Sequence, residues 1–188
     1  MFTEKFGKYA CDGDSISCEV DGFKVTARIV HDDSGDKPWD NDCMFGGVSE
    51  WTTRNKRPGE RTLCEDRGSR RFYDFAGQVA HYRREGGWGG PEFEGMTPGQ
   101  RAAASAEHSF KVLRAWVQDE WWYVGVSLSV SRNCVTLAKH AASLWGIECN
   151  YPDGDNSYLT EVANELLSEA LDNGRKALAA VCDCHDPV

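Results

Sequence analysis

With 188 residues, 40% of them apolar, and a net charge of −9, the chain has the material for one ordinary core and too little positive charge to hold nucleic acid over its whole surface. A mean hydropathy of −0.55, with no apolar run near the roughly 20 residues that cross a bilayer, excludes a spanning helix. Eight cysteines are too sparse for a disulfide scaffold, and "MFTEKFGKYACDGDS" lacks the apolar segment of a secretion signal. A cytoplasmic protein with reduced thiols is expected, its oligomeric state open.

The first element lies in "SISCEVDGFKVTARIV". Asp21-Gly22 suits a two-residue turn in which both residues take positive φ. Pairing outward from that turn sets Val20 opposite Phe23, Cys18 opposite Val25 and Ile16 opposite Ala27 on an apolar face. Glu19 then meets Lys24, and Ser17 meets Thr26, on a polar one. A single register satisfies both faces, which predicts a hairpin.

Residues 31 to about 70 read as a long irregular region, with short strands hidden near "FGGVSEW" and "RTLCE". Its first part is acidic. Over 54–84 the balance reverses, with nine Lys/Arg against four Asp/Glu. A short helix follows over about 74–85, capped by Asp74, with Phe75, Val79 and Tyr82 on one face and Gly86-Gly87 at its end. "GGWGGP" lacks the pattern of a phosphate-binding loop and reads as a flexible link. Thr97-Pro98 opens a second helix in which Ala103, Ala106, Phe110, Leu113 and Val117 recur at helical spacing to about Asp119.

In "DEWWYVGVSLSVSRN" the residues Trp122, Val124, Val126, Leu128 and Val130 alternate with Trp121, Tyr123, Gly125, Ser127 and Ser129, the pattern of a half-buried strand. "CVTLAKHAASLWGIECN" returns antiparallel to it, with a break near Ala141–Ser143. A last helix starts near Ser157 with a wide apolar stripe, where Asn173-Gly174 either stops or weakens it, and continues to about 181. The order β-β, irregular region, α, α, β-β, α predicts an α+β fold: a mainly antiparallel sheet built from two β-hairpins with about three helices packed on it. A single domain over 1–188 with a fraying tail at 182–188 is expected.

"RFYDFAGQVAHYRREGGWGG", "FKVLRAWVQDEWWYVGVSLSV", "ASLWGIE" and "YLTEVANELLSEAL", in that order, resemble a group of proteins encoded by bacteriophages and prophages to which no activity is assigned. The resemblance covers roughly residues 70–171, over half the chain, and leaves out the N-terminal hairpin and the Cys-rich tail. It implies a phage or prophage product at work in a bacterial cytoplasm and supplies no catalytic residues.

Candidate chemistry is thin. Cys182, Cys184 and His185 are zinc-type donors, but C-x-C-H is not the usual ligand spacing, and a fourth ligand such as Cys149 or Cys134 would have to come from afar. Cys11, Cys18, Cys43 and Cys64 are too scattered for a ligand knuckle, and no cofactor is predicted. No G-x-S-x-G or cysteine-nucleophile signature accompanies the scattered histidines.

Two charged surfaces remain. Asp32, Asp33, Asp36, Asp40 and Asp42, with Glu161, Glu165 and Glu169 along the last helix, are candidates for an acidic binding surface, or else simply solvated. Arg54, Lys56, Arg57, Arg61, Arg67, Arg70 and Arg71 are candidates for gripping phosphates, or else pair with the protein's own carboxylates. Trp121 and Tyr123 form either a stacking platform or part of a core. The leading expectation is a phage-encoded, non-enzymatic protein that binds a bacterial host protein or complex, in one version as an acidic inhibitor of a defence or nucleic-acid-processing assembly. A nucleic-acid-binding accessory protein using 54–71, or a hydrolase or nuclease with an unrecognised site, are the alternatives.

Overall fold

A computed structural model describes residues 1–34, 36–40 and 45–183, the last three by their backbone alone. The elements are β1 (Ser15–Val20), β2 (Phe23–His31), β3 (Arg61–Asp66), β4 (Ser69–Tyr73), α1 (Phe75–Glu85), α2 (Pro98–Val117), β5 (Trp122–Arg132), β6 (Val135–Cys149) and α3 (Ser157–Asp183), with a 3-10 turn at Pro91–Phe93. This is an α+β fold. The chain divides into two compact units, Met1–Asp33 with Trp121–Val188, and Ser34–Glu120. The second unit interrupts the first in sequence, where a single domain over 1–188 is the sequence expectation.

The interrupted unit is a four-stranded antiparallel sheet in the order β1-β2-β5-β6. The hairpin register agrees with the sequence pattern pair for pair, from Val20↔Phe23 to Ile16↔Ala27. Asp21 and Gly22 take φ of 52° and 76°, as a type I′ turn demands. β5 lies beside β2 and hairpins into β6 through Asn133 and Cys134, both left-handed.

The break expected near Ala141–Ser143 falls between Ala142 and Ala138, and a second lies between Leu144 and Ile147. Pairing is regular from Ala142 to Leu144 and slips on either side, opposite Val124/Val126 and opposite Leu128/Val130. One cause is visible at Gly125, where a Cβ would collide with the Trp145 ring. The bulge at Trp145 and Gly146 (φ 74°) lets that indole lie across the neighbouring strand.

α3 covers one face of the sheet, packing on β6, β5 and β2. Its Leu159, Ala163, Ala170 and Leu171 join Val25, Ile29, Val124, Val126, Leu128 and Val130 in one cluster, each large aliphatic contributing about 2 kcal/mol by leaving water. Asn173-Gly174 does not stop α3. Gly174 is buried, and a Cβ there would come within 2.6 Å of Val130 Cγ1. The glycine lets helix and strand approach closely, so packing offsets its poor helix propensity.

Residues 2–10 form an arm that belongs to this core. Phe2, Phe6 and Ala10 are buried, and their backbone N–H groups donate to Asn164 Oδ1 (2.8 Å), Thr160 Oγ1 (3.1 Å) and Asn150 Oδ1 (2.9 Å). Of the tandem aromatics, Trp121 is buried against Tyr123 and Tyr151, and Trp122 and Tyr123 are half-buried. Trp122 packs with the aliphatic core, as its parity predicts.

The inserted unit holds α1 and α2, packed on each other, and the β3–β4 hairpin, against which α2 also packs. Each unit thus pairs antiparallel strands with helix, as the α+β expectation has it. The Asp74 side chain caps α1 by accepting from Gly77 N (2.9 Å), and Thr97 with Gln100 closes a capping box on α2. Tyr82, Ala102 and Ala106 meet Phe75, Val79 and Trp88 between the helices. Ala103, expected on the inner face of α2, is exposed. The buried face runs through Ala102, Ser105, Ala106 and Ser109 to Phe110 and Leu113, because the serine hydroxyls there bond to Trp88 and Tyr82. Bridges Val48↔Tyr73 and Thr52↔Arg70 set residues 48–52 beside β4, giving order to part of the expected irregular region.

Candidate functional site

The basic belt is largely matched from within. Arg54 donates two 2.6 Å hydrogen bonds to Glu60 and lies over the Phe72 ring. Glu60 also accepts from Arg57 N (2.7 Å), and chiefly the Arg54 hydrogen bond holds its carboxyl down at about 2. Arg61 reaches Glu107 at 2.6 Å with its guanidinium 3.6 Å from the Phe75 ring centre. Arg70 grips Glu65 through two nitrogens. Arg71 is buried. Lys56 and Arg67 are exposed, with no ion pair among the described residues.

The acidic candidates fare differently. Asp32 accepts from Gly146 N at 3.0 Å and so serves the β5–β6 bulge. Asp33 lies 3.7 Å from His31, and Asp40 lies 3.6 Å from Lys37. Asp36 is exposed, and Asp42 lies outside the described residues. Glu161, Glu165 and Glu169 are all exposed on the outer face of α3. One turn apart, they make a continuous stripe with no ion-pair partner among the described residues.

Cys184 and His185 lie outside the described residues, as does the Cys182 side chain. Among the described residues no three of His, Cys, Asp and Glu gather as metal ligands. Cys149 is buried, and burial pushes its thiol up to about 11. His140 Nδ1 lies 3.2 Å from Ser127 Oγ. That is half of a nucleophile–base pair, with no carboxylate paired to the imidazole among the described residues. His108 packs between Trp88 and Phe93.

One cavity, of about 360 Å³, gathers what the sequence scatters. It opens among residues 37–39, Trp51, the end of the β3–β4 hairpin and the C-terminal end of α2. Its inner wall is Arg71, Trp39, Trp116 and Cys64, and its rim carries Trp51, Asp66 and Asp119. Cys64 pairs with Arg71 across the hairpin, and burial raises its thiol.

The Arg71 guanidinium sits 5.5 Å from the Trp39 ring centre and 5.2 Å from that of Trp51, and the Trp39 and Trp116 rings meet edge to face at 5.0 Å. The Arg71 side chain is 10% exposed, yet its polar contacts are long: 3.4 Å to Ser49 O and 3.5 Å to the fully solvated carboxylate of Glu50. Glu65 and Lys37, also on the rim, are already paired with Arg70 and Asp40.

Sequence reasoning reaches Arg71 through the belt, which Trp51 flanks in sequence, and misses Trp39 and Trp116. The available signal is an indole in the polar stretch "KPWDND", where nothing local buries it. No family model matches the chain, and no curated protein or solved structure is significantly similar to it.

Proposed function

We propose that the protein is a non-enzymatic, phage-encoded binding protein that uses carboxylates to occupy a basic surface of a bacterial host protein, of the kind found on a defence or nucleic-acid-processing complex. One observation carries this reading. Belt arginines Arg54, Arg61 and Arg70 are matched by the chain's own carboxylates, whereas Glu161, Glu165 and Glu169 face outward unmatched among the described residues. What a partner meets is negative charge, presented on a rigid helix. The same pairing weighs against the belt as a grip for phosphates, since each paired arginine would first have to leave its carboxylate.

The test is capture of host partners on the immobilised chain, followed by affinity measurement on the purified partner. Affinity should fall steeply as salt rises from about 50 to about 500 mM, because exposed charges are screened over that range. Glu161→Gln with Glu165→Gln and Glu169→Gln should weaken it at low salt, and duplex DNA should show no mobility shift with the wild-type chain. Salt-independent capture, or a duplex shift abolished by Arg67→Gln and Lys56→Gln, would overturn the reading.

A further inference from the structure

The cavity at Arg71 takes that one residue from the basic belt and none from the acidic candidates. Three features set what it can hold. First, a guanidinium nine-tenths buried lines the cavity with only long hydrogen-bond partners among the described residues, and a buried cation so poorly satisfied favours an acceptor from elsewhere. Second, the rim carboxylates Asp66 and Asp119 have no ion-pair partner among the described residues, and the C-terminal end of α2 adds to their negative potential. Third, indole rings line the space, and Trp51 is 46% exposed and open to stacking.

A simple anion meets carboxylates at the rim, so it is disfavoured on entry. A simple cation is repelled by the Arg71 guanidinium at the inner wall. A neutral planar ring suits both signs when its inner edge accepts hydrogen bonds and its outer edge donates them. Guanine has that arrangement. O6 and N7 accept from an arginine fork, while N1–H and the N2 amino group donate to carboxylates and the π-face stacks on an indole.

We propose that this cavity is a guanine-binding site, with Arg71 on the O6/N7 edge, Asp66 or Asp119 on the N1/N2 edge and Trp51 as the stacking platform. Adenine fits less well, since its amino group meets Arg71 donor to donor. The site takes the unphosphorylated base or nucleoside most readily, because a phosphate at the mouth lies near the rim carboxylates.

Calorimetric titration of the intact chain tests this, with guanosine, adenosine, guanosine monophosphate, a short unstructured oligonucleotide carrying one guanine, glucose and tetramethylammonium. Guanosine should bind saturably, about tenfold or more tighter than adenosine, the scale set by a mismatched base edge. Trp51→Ala, at an exposed position, should weaken guanosine about tenfold. Asp66→Asn with Asp119→Asn should weaken it while leaving the fold intact by circular dichroism.

Guanosine should also bind tighter than guanosine monophosphate or the oligonucleotide, whose phosphates meet the rim carboxylates, and a tighter oligonucleotide would overturn the preference for the free nucleoside. No saturable guanosine binding by folded protein, equal affinity for adenosine, binding of glucose or tetramethylammonium alone, or an unchanged Trp51→Ala affinity would each overturn the guanine site. The Glu161, Glu165 and Glu169 substitutions should leave guanosine affinity unchanged, so the fate of this site is separable from that of the acidic stripe.

Discussion

In the unit formed by Met1–Asp33 and Trp121–Val188, the centre is aliphatic: Val25, Ile29, Val124, Val126, Leu128 and Val130 under the leucines and alanines of α3. In the unit Ser34–Glu120, much of the binding together is done by charge against rings. Arg54 lies on Phe72, Arg61 on Phe75 and Phe110, and Arg71 by Trp39 and Trp51, most with a carboxylate behind the guanidinium. The first kind of interior stabilises in proportion to area removed from water and is indifferent to salt and acid. The second depends on ionised carboxylates and on rings held in place, and it leaves a cavity where one guanidinium is under-satisfied.

The sharpest way to break this contrast is to cut into the aliphatic core. Leu128→Ala should cost about 3 kcal/mol in denaturant unfolding, the usual range for a leucine lost from a closed interior. A loss below about 1 kcal/mol would mean that the sheet–helix interface is not the main support there.

Gly174→Ala is a second cut, with a diagnostic sign. Helix propensity alone favours alanine by about 1 kcal/mol. The 2.6 Å approach to Val130 predicts a net destabilisation of about 1–2 kcal/mol instead, the overpacking cost exceeding that gain. Stabilisation would contradict the close contact.

For the charged interior, Arg61→Met should cost about 1 kcal/mol, from the lost ring contact and a partly exposed ion pair. Lys56→Met, which removes an exposed charge with no ion pair among the described residues, should change stability by less than about 0.5 kcal/mol. Equal effects from the two would show that the ring contacts contribute nothing.

Acid should expose the same difference. The Glu60 carboxyl is held near 2 in the folded protein against an ordinary 4.5. The Arg54–Glu60 pair therefore supports folding above that ordinary value, and the support fades as pH falls from about 4.5 to about 2. Melting temperature followed over this window should drop less in Glu60→Gln than in wild type.

The smallest effect is expected at Tyr73, whose buried hydroxyl has no hydrogen-bond partner of good geometry among the described residues. Tyr73→Phe should be neutral or stabilise slightly, since an unsatisfied polar group is removed with the ring retained.

The hairpin at Asp21-Gly22, the alternation of β5, the caps at Asp74 and Thr97 and the apolar stripe of α3 are legible because each rests on a local rule: a turn that needs positive φ, a period of two, an orphan N–H near a side-chain oxygen. The helix through Gly174 is expected from the continuing stripe, but the packing role of Gly174 is not legible, for the complementary reason. Its value lies in what touches it from β5, and no window of sequence contains that contact. The exposed side of α3, carrying Glu161, Glu165 and Glu169, is implied once the buried stripe is known. The cavity at Arg71 is not implied by anything local. Its residues are drawn from positions 37 to 119, and an arginine in a basic run looks the same whether solvated or buried.

Local patterning along the chain thus determined which segments become helix or strand and which face of each turns inward, because those choices depend on neighbours a few residues away. Tertiary structure decided that Arg54, Arg61 and Arg70 find carboxylates within the protein, and that Trp39, Trp51 and Trp116 converge around Arg71. Charge pairing and ring contacts are set by distance in space, which separation along the chain does not encode.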